Sequence, residues 1–99
     1  MIKPTNGRVV LYTPSEADLV DGMAFYHAPL DAHVVHVWND RMVNLAVFDA
    51  NGKLWARTSV TLLQDDDAPN PLGRFCEWMP YQKGQAAKAE ALEQKLAAG

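Results

Sequence analysis

The stretch from His33 to Leu63 constrains this chain more than any other, because it reads as three β-strands in immediate succession. His33 to Trp38 carries three valines. Met42 to Phe48 alternates, with Val43, Leu45 and Val47 on one side, and Leu54 to Leu63 alternates with Ala56, Thr58 and Val60 on one side. Successive side chains of a strand point to opposite faces, so such patterns specify half-buried strands. Asn51-Gly52 stands between the last two and predicts a two-residue hairpin loop, since both residues tolerate positive φ. That loop sets Phe48 opposite Trp55 and Leu45 opposite Thr58. Asn39-Asp40-Arg41 joins the first two strands. Read as a three-residue loop, it sets Val37 opposite Val43 and Val35 opposite Leu45; a two-residue loop would set Val35 against Asn44 and send an apolar set to the wrong side. One face then collects Val35, Val37, Val43, Leu45, Val47, Ala56, Thr58 and Val60. The other holds His36, Trp38, Asn44, Phe48, Trp55, Arg57 and Ser59.

The remaining elements are shorter. Arg8 to Tyr12 is a β-prone run bounded by Gly7 and Pro14 and predicts a first strand. Thr13 to Ala32 has no clear period, although Ser15-Glu16-Ala17-Asp18 suits the cap of a short helical turn. A connection of that length is usually functional or mobile. Gln64 to Gly73, with Asp65, Asp66, Asp67, Pro69 and Pro71, predicts a loop, and Arg74 to Met79 a fifth strand ended by Pro80. Gln85 to Ala98 is Ala-rich and predicts a helix between Gly84 and Gly99, with Ala89, Leu92 and Leu96 as a narrow apolar stripe. Such a helix is marginal alone in water and must dock on the barrel, dock on another subunit, or fray.

Five short strands, a long first connection and tight later hairpins predict a mainly β fold: a small five-stranded SH3-like barrel with a C-terminal α-helix, an OB-type barrel being the alternative. Residues 1–82 form the barrel domain, and 83–99 form the helix, within the same domain or as a subunit contact. The 99 residues suffice for one small domain, whose marginal core favours a homo-oligomer. No apolar run approaches the roughly 18 residues of a membrane span. The absence of a basic-then-apolar leader argues against secretion, and a single cysteine suits a reducing cytoplasm. Nine Lys and Arg against twelve Asp and Glu give a net charge of −3, which argues against a general phosphate-backbone binder. Arg8, Arg41, Lys53, Arg57 and Arg74 are the residues from which a local basic stripe for nucleic acid would have to be built.

The strongest chemical signal is the aromatic face. Trp38 and Trp55 can stack a planar ring, Arg57 can fork onto phosphate or carboxylate, and His36, Asn44 and Ser59 can orient the ligand, with Arg41 nearby in the hairpin. The bland alternative for the same face is core or subunit packing. Three adjacent aspartates offer hard oxygen ligands but lack the spacing of a calcium loop. A metal site would have to be built from His27, His33 and His36 with Asp31 or Asp40, but strict alternation points His33 and His36 to opposite faces. Cys76, between Phe75 and Glu77, has no electropositive neighbour in sequence and reads as a packed thiol rather than a nucleophile. No phosphate loop, nucleophile elbow or zinc-ligand motif is present, so no cofactor is expected and the chain reads as non-enzymatic.

Three segments carry a resemblance: Trp38-Asn39-Asp40-Arg41-Met42-Val43-Asn44-Leu45-Ala46-Val47-Phe48-Asp49-Ala50-Asn51-Gly52; Thr58-Ser59-Val60 followed by Leu62-Leu63-Gln64-Asp65-Asp66-Asp67-Ala68-Pro69; and Cys76-Glu77-Trp78-Met79-Pro80-Tyr81-Gln82-Lys83-Gly84-Gln85-Ala86-Ala87-Lys88. With Gly7-Arg8-Val9-Val10, they resemble small proteins encoded in tailed-phage and prophage genomes of Gram-negative bacteria. The likeness covers roughly residues 7–12 and 38–88 and brings no catalytic motif. It implies expression in the cytoplasm of an infected bacterium. By analogy with small oligomeric anti-defence proteins, it implies sequestration of a host nucleotide signal. A module that docks a host or phage protein is the second expectation, and a weak nucleic-acid-binding barrel the third.

Overall fold

The computed structural model describes residues 1–65, 67–68 and 73–98, the last by its backbone alone. Strand β1 (Val9–Thr13) leads into a one-turn helix α1 (Glu16–Val20). Three strands follow, β2 (Leu30–Asn39), β3 (Met42–Phe48) and β4 (Leu54–Leu63), then the short β5 (Phe75–Glu77) and helix α2 (Pro80–Ala98). The strands close in the order β1-β2-β3-β4-β5, with β5 antiparallel to β1 and parallel to β4. The protein is mainly β, a closed five-stranded barrel of the small SH3-like kind with a C-terminal helix.

The barrel interior is apolar. Val10 and Tyr12 of β1, Leu30, Ala32 and Val34 of β2, Val43, Leu45 and Val47 of β3, and Val60 and Leu62 of β4 are buried together with Cys76 and Trp78. Polar side chains close both ends. At one end the Gln64 amide, expected in a solvated loop, is buried: it donates to the carbonyls of Ile2 at 2.7 Å and Asp40 at 2.8 Å, and accepts from the Ile2 N–H and the Trp78 indole at 3.2 Å each. One side chain thus pins the N-terminal segment, the β2–β3 turn and the chain beyond β5. At the other end lies the 13–32 connection. Ser15 caps α1 in a capping box with Asp18, as its sequence indicates, and Met23 and Phe25 pack on the core. The connection is therefore a plug rather than a free loop.

The register departs from the expected one in four places. The β3–β4 loop has three residues, not two. The Asp49 N–H donates to the Lys53 carbonyl at 3.0 Å, and Gly52, at φ 82°, takes the left-handed position that closes such a loop. Val47, not Phe48, therefore pairs with Trp55, and Leu45 with Arg57. Next, β4 carries a bulge at Ser59, whose φ is 53°. Trp55 and Arg57 face inward before it, Val60 and Leu62 after it. Ala56 and Thr58, expected inside, are outside. Third, β2 bulges at Val35. Val34 takes the place opposite Leu45, Val35 is exposed, and Val37 pairs with Val43 as expected. β2 then shifts register a second time between Val37 and Asn39, so Asn39 pairs with Met42 and the loop is the two residues Asp40-Arg41, not the expected three-residue Asn39-Asp40-Arg41. An extra residue bends a strand and changes its phase, which lets two ten-residue strands wrap a narrow barrel.

Helix α2 begins five residues before the expected Gln85. Pro80 needs no N–H partner in the first turn, and the Gln82 side chain reaches back to the Met79 N–H at 2.8 Å. Gly84 is absorbed into the helix instead of preceding it. From Ala87 to Ala97 every residue is exposed, and the molecule measures 55 × 23 × 22 Å, so the helix extends away from the barrel.

Candidate functional site

The altered register decides the fate of the seven candidate residues, which do not form one pocket. His36, Trp38, Asn44 and Ser59 stay outside and meet one another. Trp55 and Arg57 turn inward, on the face of Val47 and Leu45. Arg41 lies in the β2–β3 turn, its Nε 2.9 Å from Asp67 Oδ2. The expected stacking of a ring between Trp38 and Trp55, with Arg57 on its phosphate, is therefore not available: the two indoles occupy opposite faces of the sheet.

The outer group is built on Asn44. Its Oδ1 accepts from the Trp38 indole N–H and from the backbone N–H of bulged Ser59, each at 2.8 Å. One amide thus holds the bulge open and fixes the indole. The His36 ring meets Trp38 edge-on, with centroids 4.5 Å apart. Trp38 nevertheless remains 58% exposed. Further along the same face His33 packs edge-on against Phe48 at 5.5 Å, Phe48 pairs with Leu54, and Leu54 is 59% exposed. The Val35 bulge also corrects the expectation that His33 and His36 diverge: both lie outside. Among the described residues no three His, Cys, Asp or Glu side chains converge as a metal site. Asp66 lies outside the described residues. Asp67 caps the Gln64 N–H at 2.9 Å while holding Arg41.

The inner group is a polar chain at the mouth of the barrel. Arg57 Nε donates to Asp18 Oδ1 at 2.7 Å; the Tyr12 hydroxyl and the Ser15 N–H donate to Oδ2. Asp18 is only 2% exposed. Burial pushes its carboxyl pKa up, but the Tyr12, Ser15 and Arg57 donors outweigh burial and hold it below the ordinary value. The Arg57 guanidinium lies 5.3 Å from the Trp55 ring centroid and Lys53 Nζ 4.4 Å from it. The Trp55 indole donates to Asp49 Oδ2 at 2.9 Å, and Asp49 also accepts from the backbone of Ala24, Asn51 and Lys53. The indole and these backbone donors hold the Asp49 carboxyl down at about 2. Every strong group here is engaged within the protein, so the chain of contacts staples the 13–32 plug to β4.

Sequence reasoning missed Asp18 and Asp49. The capping box already placed Asp18 at the start of α1, and an aspartate ahead of Ala50-Asn51-Gly52 is a turn-forming residue, but neither signal names a partner far along the chain. Cys76 is buried, and burial, with the nearby Glu77 charge, pushes its thiol up to about 12, so the nucleophilic thiolate is suppressed. No helix among the described residues is long and apolar enough to cross a membrane.

Fold and site together define a small closed β-barrel with an exposed aromatic face. Comparison of the chain with protein-family models, with curated proteins and with solved structures finds no match.

Proposed function

We propose that this chain is a non-enzymatic interaction module of the phage accessory kind, working in the host bacterial cytoplasm, and that the outer face of β2, β3 and β4 docks a host or phage protein. The observation that carries the reading is the strip of His36, Trp38, His33, Phe48 and Leu54 on one sheet face, rigidly supported and open to solvent. Contiguous apolar surface on a small domain marks an interaction site, and Trp is the residue type most often found at the energetic centre of one. β3, the middle strand of this face, is paired on both sides, so recognition there runs through side chains.

Sequestration of a nucleotide signal ranks second. The face keeps a stacking surface for a base, but the one Lys or Arg within β2, β3 and β4 is Arg57, which is turned inward and paired with Asp18. A phosphate would find no cation on these strands. A protein partner needs none.

A photo-crosslinking amino acid in place of Leu54, with the same group in place of Thr5 as control, tests the assignment in lysate of the bacterium that expresses the chain. One defined protein adduct from position 54, absent from position 5 and lost with Trp38→Ala, is the expected result. Trp38→Ala should weaken that complex by about 2 kcal/mol, roughly thirtyfold, with the thermal midpoint of the module unchanged. Calorimetric heat with a cyclic or ADP-ribose-type nucleotide, lost with Trp38→Ala and without a protein adduct, transfers the face to the sequestration reading. Neither adduct nor heat overturns the site.

A further inference from the structure

The exposed part of α2 touches the rest of the described chain on one side only, where the N-terminal amine lies 3.5 Å from Glu90 Oε1. Its contact side with the barrel runs through Gln82 and Ala86, both partly buried, and Gln82 Nε2 donates to the Val9 carbonyl at 2.9 Å. The stripe of Ala89, Leu92 and Leu96 is centred about 70° around the helix from that side at 3.6 residues per turn. Leu92 is 58% and Leu96 72% exposed. Eleven consecutive exposed residues, Ala87 to Ala97, following Gly84, form a segment that is marginal as a helix in water without tertiary support.

The spacing of Gln85, Ala89, Leu92 and Leu96 alternates four, three and four, which is the seam of a two-helix coiled coil. The charges beside the seam are not symmetric. Lys88 and Lys95 flank it on one side and Glu93 on the other. In a parallel pair the flank of one helix faces the opposite flank of its partner, so Lys88 of each copy meets Glu93 of the other, five residues on. In an antiparallel pair lysine would face lysine and glutamate would face glutamate. We infer that a second copy of this chain covers α2, as a parallel, in-register helix pair about the Ala89-Leu92-Leu96 seam. The pairing is independent of the aromatic face, which lies on the barrel. Two heptads with one alanine and two leucines make a small seam, so the dimer is a weak, concentration-dependent one.

Sedimentation across a wide concentration range, with far-UV circular dichroism on the same samples, should show a reversible monomer–dimer equilibrium and helicity that rises with dimer. Leu92→Asn should weaken the dimer roughly tenfold or more while leaving the barrel's melting transition in place. Lys88→Glu should weaken it too, and Lys88→Glu combined with Glu93→Lys should restore it, because both cross-pairs are regenerated with reversed sign. Leu96→Cys should form an intermolecular disulfide on oxidation, since the parallel register brings position 96 against its own copy; the native Cys76 is buried. A chain that stays monomeric throughout, a double charge swap without rescue, or a dimer that Leu96→Cys cannot lock overturns the inference. Trp38→Ala leaves this equilibrium unchanged, so failure here and failure of the docking face are read separately.

Discussion

Two side chains show how single residues carry this fold. Among the described residues the ionic partner of Arg57 is the buried Asp18; removing either leaves the other without its counter-charge inside the barrel mouth. Arg57→Ala is expected to destabilise the protein by about 3 kcal/mol, as breaking a buried pair from one side generally does, measured by urea unfolding. The same network sets an acid limit. Asp18 and Asp49 both have folded-state pKa values below their ordinary value of 3.8, Asp49 at about 2. Their contribution is complete above the ordinary carboxyl range, where both states are ionised. It falls as pH drops from about 4 towards 2, because the unfolded chain then takes up protons that the folded one refuses. Thermal midpoints should decline over that interval, and Asp49→Asn should be less stable at neutral pH but lose less of its stability on acidification. A midpoint that is flat down to pH about 2 in the native protein would remove both carboxylates from the stability account.

Among the elements, the β3–β4 hairpin has the largest consequence. Asn51-Gly52 was legible as a turn, and its position is right; its length is not. An Asn-Gly two-residue loop is of type I′ and needs positive φ at both residues, whereas here only Gly52 has it, and Ala50 joins the loop. Asp49 favours the longer form because its carboxylate Oδ1 accepts the N–H groups of Asn51 and Lys53, both at 2.9 Å. One added loop residue exchanges the faces of Trp55 and Arg57 with those of Ala56 and Thr58. Gly52→Ala places a β-carbon on a left-handed residue and should cost about 1 kcal/mol, read as a lower denaturation midpoint with an unchanged slope. A neutral result would mean that the loop relaxes to another turn. The bulges at Val35 and Ser59 belong to the same scale. Neither has a sequence mark such as glycine, nor has the second shift of β2 between Val37 and Asn39, so the period-two pattern of each ten-residue strand is read in a single phase that the strand does not keep.

At the level of the whole molecule, the barrel is one cooperative unit held closed by polar plugs at both ends: Gln64 at one, the Tyr12–Asp18–Arg57 group at the other. Cys76 sits inside that closed space. Its reaction with a thiol reagent should therefore follow global unfolding, with native protein protected and labelling that accelerates with denaturant in step with the loss of tryptophan signal. Rapid labelling under native conditions would show that the β5 side of the barrel opens on its own.

Much of the architecture was already written in local chemistry. Alternating valines, a capping serine, turn residues and an alanine-rich tail determine five strands, a short capped turn and a terminal helix, since each depends on neighbours a few residues away. The outer pairing of His36, Trp38 and Asn44 also follows from that pattern. The tertiary structure alone decided that Trp55 and Arg57 face inward, that Asp18 meets Arg57 across 39 positions and that Gln64 is buried. Those outcomes depend on closing a barrel. Closure requires strands to bend, bending inserts bulges, and each bulge reverses which residues face the core, a choice settled by contacts far apart in the chain and not by the residues beside it.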